Sequence, residues 1–144
     1  MKNIIATLSL IGSSVFGDIP EFPRDIVYTK EDMTVARVIY MEARGEGRIG
    51  MLCVADVISE RMNNLSAYQV VSAPQQFDGI NYNNVDWSDE QAQFCLGLAK
   101  RLLRGDDILP DHQFTHFFSG SEPYWARGQH KVKIGNHYFL RLRQ

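Results

Sequence analysis

Hydrophobic positions recur at helical spacing in three stretches of the chain and alternate with polar ones only toward the C-terminus. Over residues 30–44, Val35, Val38 and Ile39 share one narrow face at about 100° per residue, with Arg37 and Arg44 on the opposite side. Thr29 stands three residues before Asp32, a capping box with Asp in place of Glu that predicts the helix start. Gly45, Gly47 and Gly50 predict a stop and a tight return. A second helix is expected from about Ile49, with Met51, Val54, Ala55, Ile58 and Met62 on its stripe and Asp56, Ser59, Glu60 and Arg61 off it. Asn63 and Asn64 end it, and residues 66–72 predict one short helical piece before Pro74. Ser88, three residues before Gln91, predicts the cap of a third long helix whose buried face is Ala92, Cys95, Leu98, Ala99, Leu102 and Leu103. Beyond Pro110 the period shortens: residues 113–118 alternate, 119–123 turn, and Val132-Lys133-Ile134 joins residues 137–142 through Gly135-Asn136, a two-residue hairpin signal. The expected fold class is α+β, mainly helical with a small C-terminal antiparallel sheet or hairpin.

One feature breaks the first pattern. Glu42 and Glu46 fall on the apolar stripe of Val35, Val38 and Ile39. A buried carboxylate is costly unless paired or protonated, and burial raises its pKa. A carboxylic acid that keeps its proton near neutral pH can give it to a leaving oxygen. The plainer alternative is a boundary residue that curls out to water or is held by an arginine. Residues 75–87 add a second signal, because Gln75, Gln76, Phe77, Asp78, Gly79, Ile80, Asn81 and Tyr82 mix amides and aromatics without periodicity. Aromatic faces cover the CH patches of sugars, and amides match their hydroxyls. An ordinary surface loop is the alternative.

The 144 residues, 44% hydrophobic and 22% charged, suffice for one domain with its own core. A net charge of −2 and pI near 6.1 argue against a nucleic-acid binder. From Pro123 onward, Arg127, Lys131, Lys133, Arg141 and Arg143 face no Asp or Glu, which fits a solvated strand edge or a patch for an anionic polymer. Residues 1–17, one Lys followed by mostly apolar or small residues, resemble a short signal peptide; a membrane-proximal segment with transient membrane association and a plain buried segment are the alternatives. Residues 18–28 read as an extended lead-in, and 29–144 as the functional domain. Cys53 and Cys95 match no zinc or redox spacing and suit small buried hydrophobes.

Several stretches, taken together, resemble one family. They are Ala36-Arg37-Val38-Ile39-Tyr40-Met41-Glu42-Ala43-Arg44-Gly45-Glu46, the following helix over 50–61, Gln76-Phe77-Asp78-Gly79, Thr115-His116-Phe117, Pro123-Tyr124-Trp125-Ala126-Arg127 and Ile134-Gly135-Asn136-His137-Tyr138-Phe139. The chain resembles the cell wall hydrolases related to the spore cortex-lytic enzyme catalytic domain, which include bacterial and phage members. The resemblance spans roughly residues 30–142. It implies a lysozyme-like fold and cleavage of peptidoglycan between N-acetylmuramic acid and N-acetylglucosamine, with Glu42 as catalytic acid. The chain departs from the pattern at Phe77, where relatives often carry an additional Trp nearby, and at Phe118, where a His is frequent.

Most glycosidases use two carboxylates. Glu46 lies on the same face as Glu42, and Asp78 is the best outside candidate for a second. The expected chemistry is therefore that of a lytic transglycosylase in which Glu42 serves first as acid and then as base, with a hydrolytic muramidase as the alternative. Glu46, Tyr40 and Arg44 are expected to support Glu42 or a backbone turn, and Gln76, Phe77, Asp78, His116, Tyr124, Trp125 and His137 to contact substrate. No cofactor or metal is expected. A zinc amidase built on His112, His116 and His137 is disfavoured, because residues four apart on a strand lie about 13 Å apart. A non-catalytic wall-binding or virion protein is the remaining rival. The expected partner is the peptidoglycan glycan strand, met by a monomer that is exported, periplasmic or wall-associated, or delivered by a phage.

Overall fold

The computed structural model describes residues 5–7, 16–22, 26–74, 76–82 and 84–143, with only the backbone described for 5–7. Most of the signal-like segment 1–17, part of the lead-in 18–28, and Gln75 and Asn83 of the sugar-type loop lie outside the described residues. Among the described residues, no helix is long and apolar enough to cross a membrane.

Helix α1 (Lys30–Ala43) starts where the sequence predicts. The Thr29 side chain accepts the Asp32 N–H, and Asp32 Oδ2 accepts the Thr29 N–H, so two otherwise orphaned donors are satisfied. Asp32 also meets Lys100 Nζ at 3.0 Å, tying the start of α1 to a later helix. A single 3-10 turn, Arg44–Glu46, leads into α2 (Gly47–Arg61). One expectation fails along this helix. Asp56, read as lying off the apolar stripe, is only 1% exposed, since every residue from Ile49 to Ile58 is buried. A short helix α3 (Ala67–Val71) follows, capped reciprocally by Ser66 and Gln69.

Helix α4 (Glu90–Leu103) is capped one residue later than expected. The cap is Asp89, which accepts the Gln91 N–H, while Ser88 bonds back to Asp86. α1 packs against α2 and α4, and the shared core includes Val35, Ile39, Met51, Val54, Leu98 and Leu102. Cys53 and Cys95 are free thiols buried within it.

Among the described residues one sheet forms, in the order β1-β3-β4-β2. β2 (His116–Ser119), β3 (Lys131–Ile134) and β4 (His137–Leu140) pair antiparallel as expected, with the hairpin turn at Gly135-Asn136. β1 (Ile5–Thr7) pairs parallel to the outer edge of β3, an addition the periodicity did not predict. Lys131 departs from the basic-edge reading: it is 0% exposed, with Nζ 2.6 Å from Glu122 Oε1 and donating to the Gln129 carbonyl.

Candidate functional site

Glu42 is the penultimate residue of α1, half-buried, and it meets the loop that follows α3. The backbone N–H groups of Asp78 and Gly79 both donate to its Oε1, at 3.0 and 3.4 Å. This grip needs the 3-10 turn Asp78–Asn81 to press against α1. A Cβ on Gly79 would lie 2.7 Å from the Met41 Cβ and 3.3 Å from the Val38 Cα, so only glycine allows the approach. Gly79→Ala is expected to push the turn off α1 and loosen both amides from Glu42. A several-fold fall in kcat with a smaller change in KM, read on purified wall glycan, would fit that displacement; unchanged kcat would show that the grip does not matter.

The Glu42 pKa is raised, chiefly by burial. The Gly79 and Asp78 N–H groups lower it, the Asp78 carboxylate raises it, and the His137 ring lowers it. Because Oε1 is committed as acceptor to two amides, a proton on this carboxyl belongs on Oε2.

Around Glu42 opens a cleft of about 460 Å³ whose walls include Gln76, Asp78, His116, Phe117 and Trp125. Trp125 is 39% exposed, so it is not the core residue that its type would ordinarily suggest. Its ring leans on His116 at 5.2 Å and meets Phe118 edge-on at 5.8 Å, while Phe118 stacks on Tyr138. An exposed indole braced in this way is a fixed apolar plate. His116 carries a lowered pKa, from burial first and then from the Arg61 charge, so its ring is neutral at neutral pH.

Glu46 holds the hairpin and not Glu42. Its Oε1 pairs with His137 Nδ1 at 2.9 Å and accepts the Asn136 N–H at 3.3 Å. Gly135, at φ +57°, brings the turn so close that a Cβ there would lie 2.7 Å from the Glu46 Cγ. Its expected role with a backbone turn therefore has a geometric basis.

Other expected site residues fall elsewhere. Tyr40 Oη donates to Asp89 Oδ2, and Arg44 lies over the rings of Tyr40 and Tyr82, so both side chains engage partners other than Glu42. Phe77 is 4% exposed and packs on Phe117, so it is a core residue behind the cleft and offers no face to a sugar. Tyr124 is 84% exposed but outside the cleft wall, and His137 lies behind it, edge-on to Phe117. The three imidazoles of the amidase reading do not converge: His112 stacks on Phe114, His116 tilts against Trp125 and His137 pairs with Glu46. Among the described residues no three His, Cys, Asp or Glu side chains gather as metal ligands would. The sequence reading missed Arg61, Phe117 and Leu142, which also line the cleft. An arginine in the last turn of a helix is an ordinary complement to the helix dipole, so nothing marked Arg61 out.

The family model for cell wall hydrolases matches residues 45–140. This chain belongs to the cell wall hydrolase family. The matched span takes in Glu46, the turn that grips Glu42, and the aromatic wall, and it begins just beyond Glu42 itself. Among solved structures, the hydrolase is similar to the catalytic domain of the Bacillus cereus SleB protein, with 24% identity, a TM-score of 0.58 and coverage of 87% of this chain and 99% of that one. It is also similar to the catalytic domain of the germination-specific lytic transglycosylase SleB from Bacillus anthracis, with 26% identity, a TM-score of 0.57 and coverage of 83% and 100%. The fold is thus the lysozyme-like α+β fold of that catalytic domain. No curated protein matches the chain.

Proposed function

We propose that this hydrolase lyses peptidoglycan by cutting the bond between N-acetylmuramic acid and N-acetylglucosamine, as a lytic transglycosylase with Glu42 as both acid and base. The observation that carries this reading is the half-buried carboxyl at a cleft wall, its pKa raised by burial and one oxygen pinned by two amides. Glu42 Oε2–H gives its proton to the glycosidic oxygen as the bond from C1 breaks. The resulting carboxylate then takes the proton of the muramic 6-hydroxyl, whose oxygen closes on C1 to give a 1,6-anhydro end. No water is consumed, and one residue completes both proton transfers. Family membership and likeness to a catalytic domain described as a lytic transglycosylase support the same reading.

The second reading, a hydrolytic muramidase, draws on Asp78, whose carboxylate shares the cleft. The backbone of Asp78 touches Glu42, so both carboxylates spring from one wall, whereas an attacking base must address the sugar from the far side. Mass analysis of digested peptidoglycan separates the two: anhydro ends are expected, and hydrated reducing ends would replace the transglycosylase with a muramidase.

The pH profile follows from the sign of the shift. The acid works only while protonated, so kcat/KM should fall as pH rises through the Glu42 pKa, which lies above the ordinary 4.5. Asp78→Asn removes a like charge that raises this pKa, and the alkaline limb should move to lower pH. A limb that stays put in that variant would assign it to another group. The substrate lies outside the cytoplasm, so the enzyme reaches it by export, for which residues 1–17 are the candidate signal, or by phage delivery.

A further inference from the structure

The Glu42 cleft does not stand alone. Arg61, Gln76, His116 and Leu142 also line a second, larger hollow of about 910 Å³, so the two are neighbours that share the wall on which Arg61 stands. Arg61 is held there rigidly. Its Nε donates to the Thr115 carbonyl and its Nη1 to Gln76 Oε1, both at 2.8 Å, and the guanidinium lies over the Phe77 ring. Among the described residues no carboxylate pairs with it, and Nη2 takes no partner. Burial alone acts on its pKa, lowering it, with no anion to offset the loss of water. By contrast, among the described residues Arg48, Lys100, Arg101, Arg104 and Lys131 each meet an Asp or Glu. A half-buried, fixed and unneutralised guanidinium is a ready partner for a carboxylate.

The larger hollow suits what would bring that carboxylate. Asn63 and Gln69 offer amides that match a peptide backbone, and Arg141 and Arg143 add positive charge against the single acid Glu60. Peptidoglycan carries, on each muramic residue with its stem intact, a short peptide bearing free carboxylates. We propose that Arg61 binds a carboxylate of the peptide stem next to the scissile bond, and that the larger hollow houses that stem. The inference rests on the glycan-cleaving reading above and deepens it: the enzyme reads the stem as well as the sugar. Arg61 then selects among strands and takes no part in the proton transfers.

The test compares three forms of purified glycan strand: with stems, with stem carboxylates converted to amides, and with stems removed, each scored by mass of the cleaved products. Wild type is expected to favour the first by at least about tenfold in kcat/KM, mainly through KM, the size of a hydrogen bond to a charged group. The amidated form should fall to the level of the stripped one, an outcome that needs no variant and so does not depend on any variant folding. In Arg61→Gln the ratio between stem-bearing and stripped strands should approach one, and Arg61→Lys should recover part of it. Equal cleavage of all three forms by wild type would overturn the inference, as would a ratio that survives in Arg61→Gln. Faster cleavage of stripped strands would also overturn it, assigning the cation to the free lactyl carboxylate. No cleavage of any form would remove the glycan-cleaving reading itself, and this inference with it.

Discussion

Glu42→Gln is expected to lower glycan cleavage roughly 100- to 10,000-fold, the range that a positioned acid–base group supplies. Glutamine keeps the size of the side chain, and its carbonyl oxygen can still accept the Asp78 and Gly79 N–H groups that Oε1 accepts now. What it lacks is a proton to give to the departing oxygen. The melting temperature should therefore change little while turnover collapses, and that combination separates a chemical loss from a folding defect. Wall clearing by the variant at the wild-type rate would leave Glu42 without a catalytic role and favour a protein that binds the wall without cutting it.

The second large effect is on stability. Asp56→Ala is expected to destabilise the domain by about 2–6 kcal/mol, because two buried N–H groups would lose their acceptors at about 1–3 kcal/mol each. Asp56 Oδ1 accepts the Leu109 N–H at 3.2 Å and Oδ2 the Phe114 N–H at 2.6 Å, so this one carboxyl ties the segment before the sheet to the core helix. Domains of this kind have only about 5–15 kcal/mol in total, so the loss is large. Urea unfolding of the two proteins measures it; a difference below about 1 kcal/mol would mean that water replaces the carboxyl as acceptor.

The same residue gives a pH dependence of known sign. Its pKa is raised from 3.8 to about 7, by burial above all; the Phe114 and Leu109 N–H groups pull it down, and Glu60 and Asp107 push it up. The folded state thus holds this proton more tightly than the unfolded chain. The stability it contributes is fully present below pH 3.8 and is lost as pH rises through about 7. Asp56→Asn, which cannot ionise, should flatten the unfolding free energy across that window.

The contrast between Glu42 and Asp56 shows what the sequence could and could not reveal. Glu42 was legible because its oddity is local: a carboxyl on the stripe of Val35, Val38 and Ile39 can be read within one helix. The capping box at Thr29 and the turn at Gly135-Asn136 were legible for the same reason, each needing only residues a few positions apart. Asp56 was not, since the backbone it serves lies 53 and 58 residues further on, and α2 is buried so nearly all round that a polar position on it says nothing about solvent. Tyr40 belongs with Asp89, 49 residues away, for which no local pattern speaks. Phe77 and Trp125, both expected to meet substrate, took opposite environments. A phenylalanine in a polar loop turned inward onto Phe117, and a tryptophan was left outward, braced by His116 and Phe118. Arg61 gave no signal because what sets it apart, a fixed guanidinium with no carboxylate partner among the described residues, is a property only of the assembled surface.

The clasp of Glu46 on Asn136 and His137 joins the helical jaw that bears Glu42 to the sheet that supports Trp125. Since Glu46 sits in the single turn after α1, the gape between acid and indole is fixed by a rivet only a few residues from the acid. On the reading proposed above, a glycan strand in the cleft would meet the acid and the indole at a spacing set by this rivet, so loss of the Glu46 carboxyl would be felt at a site it does not touch.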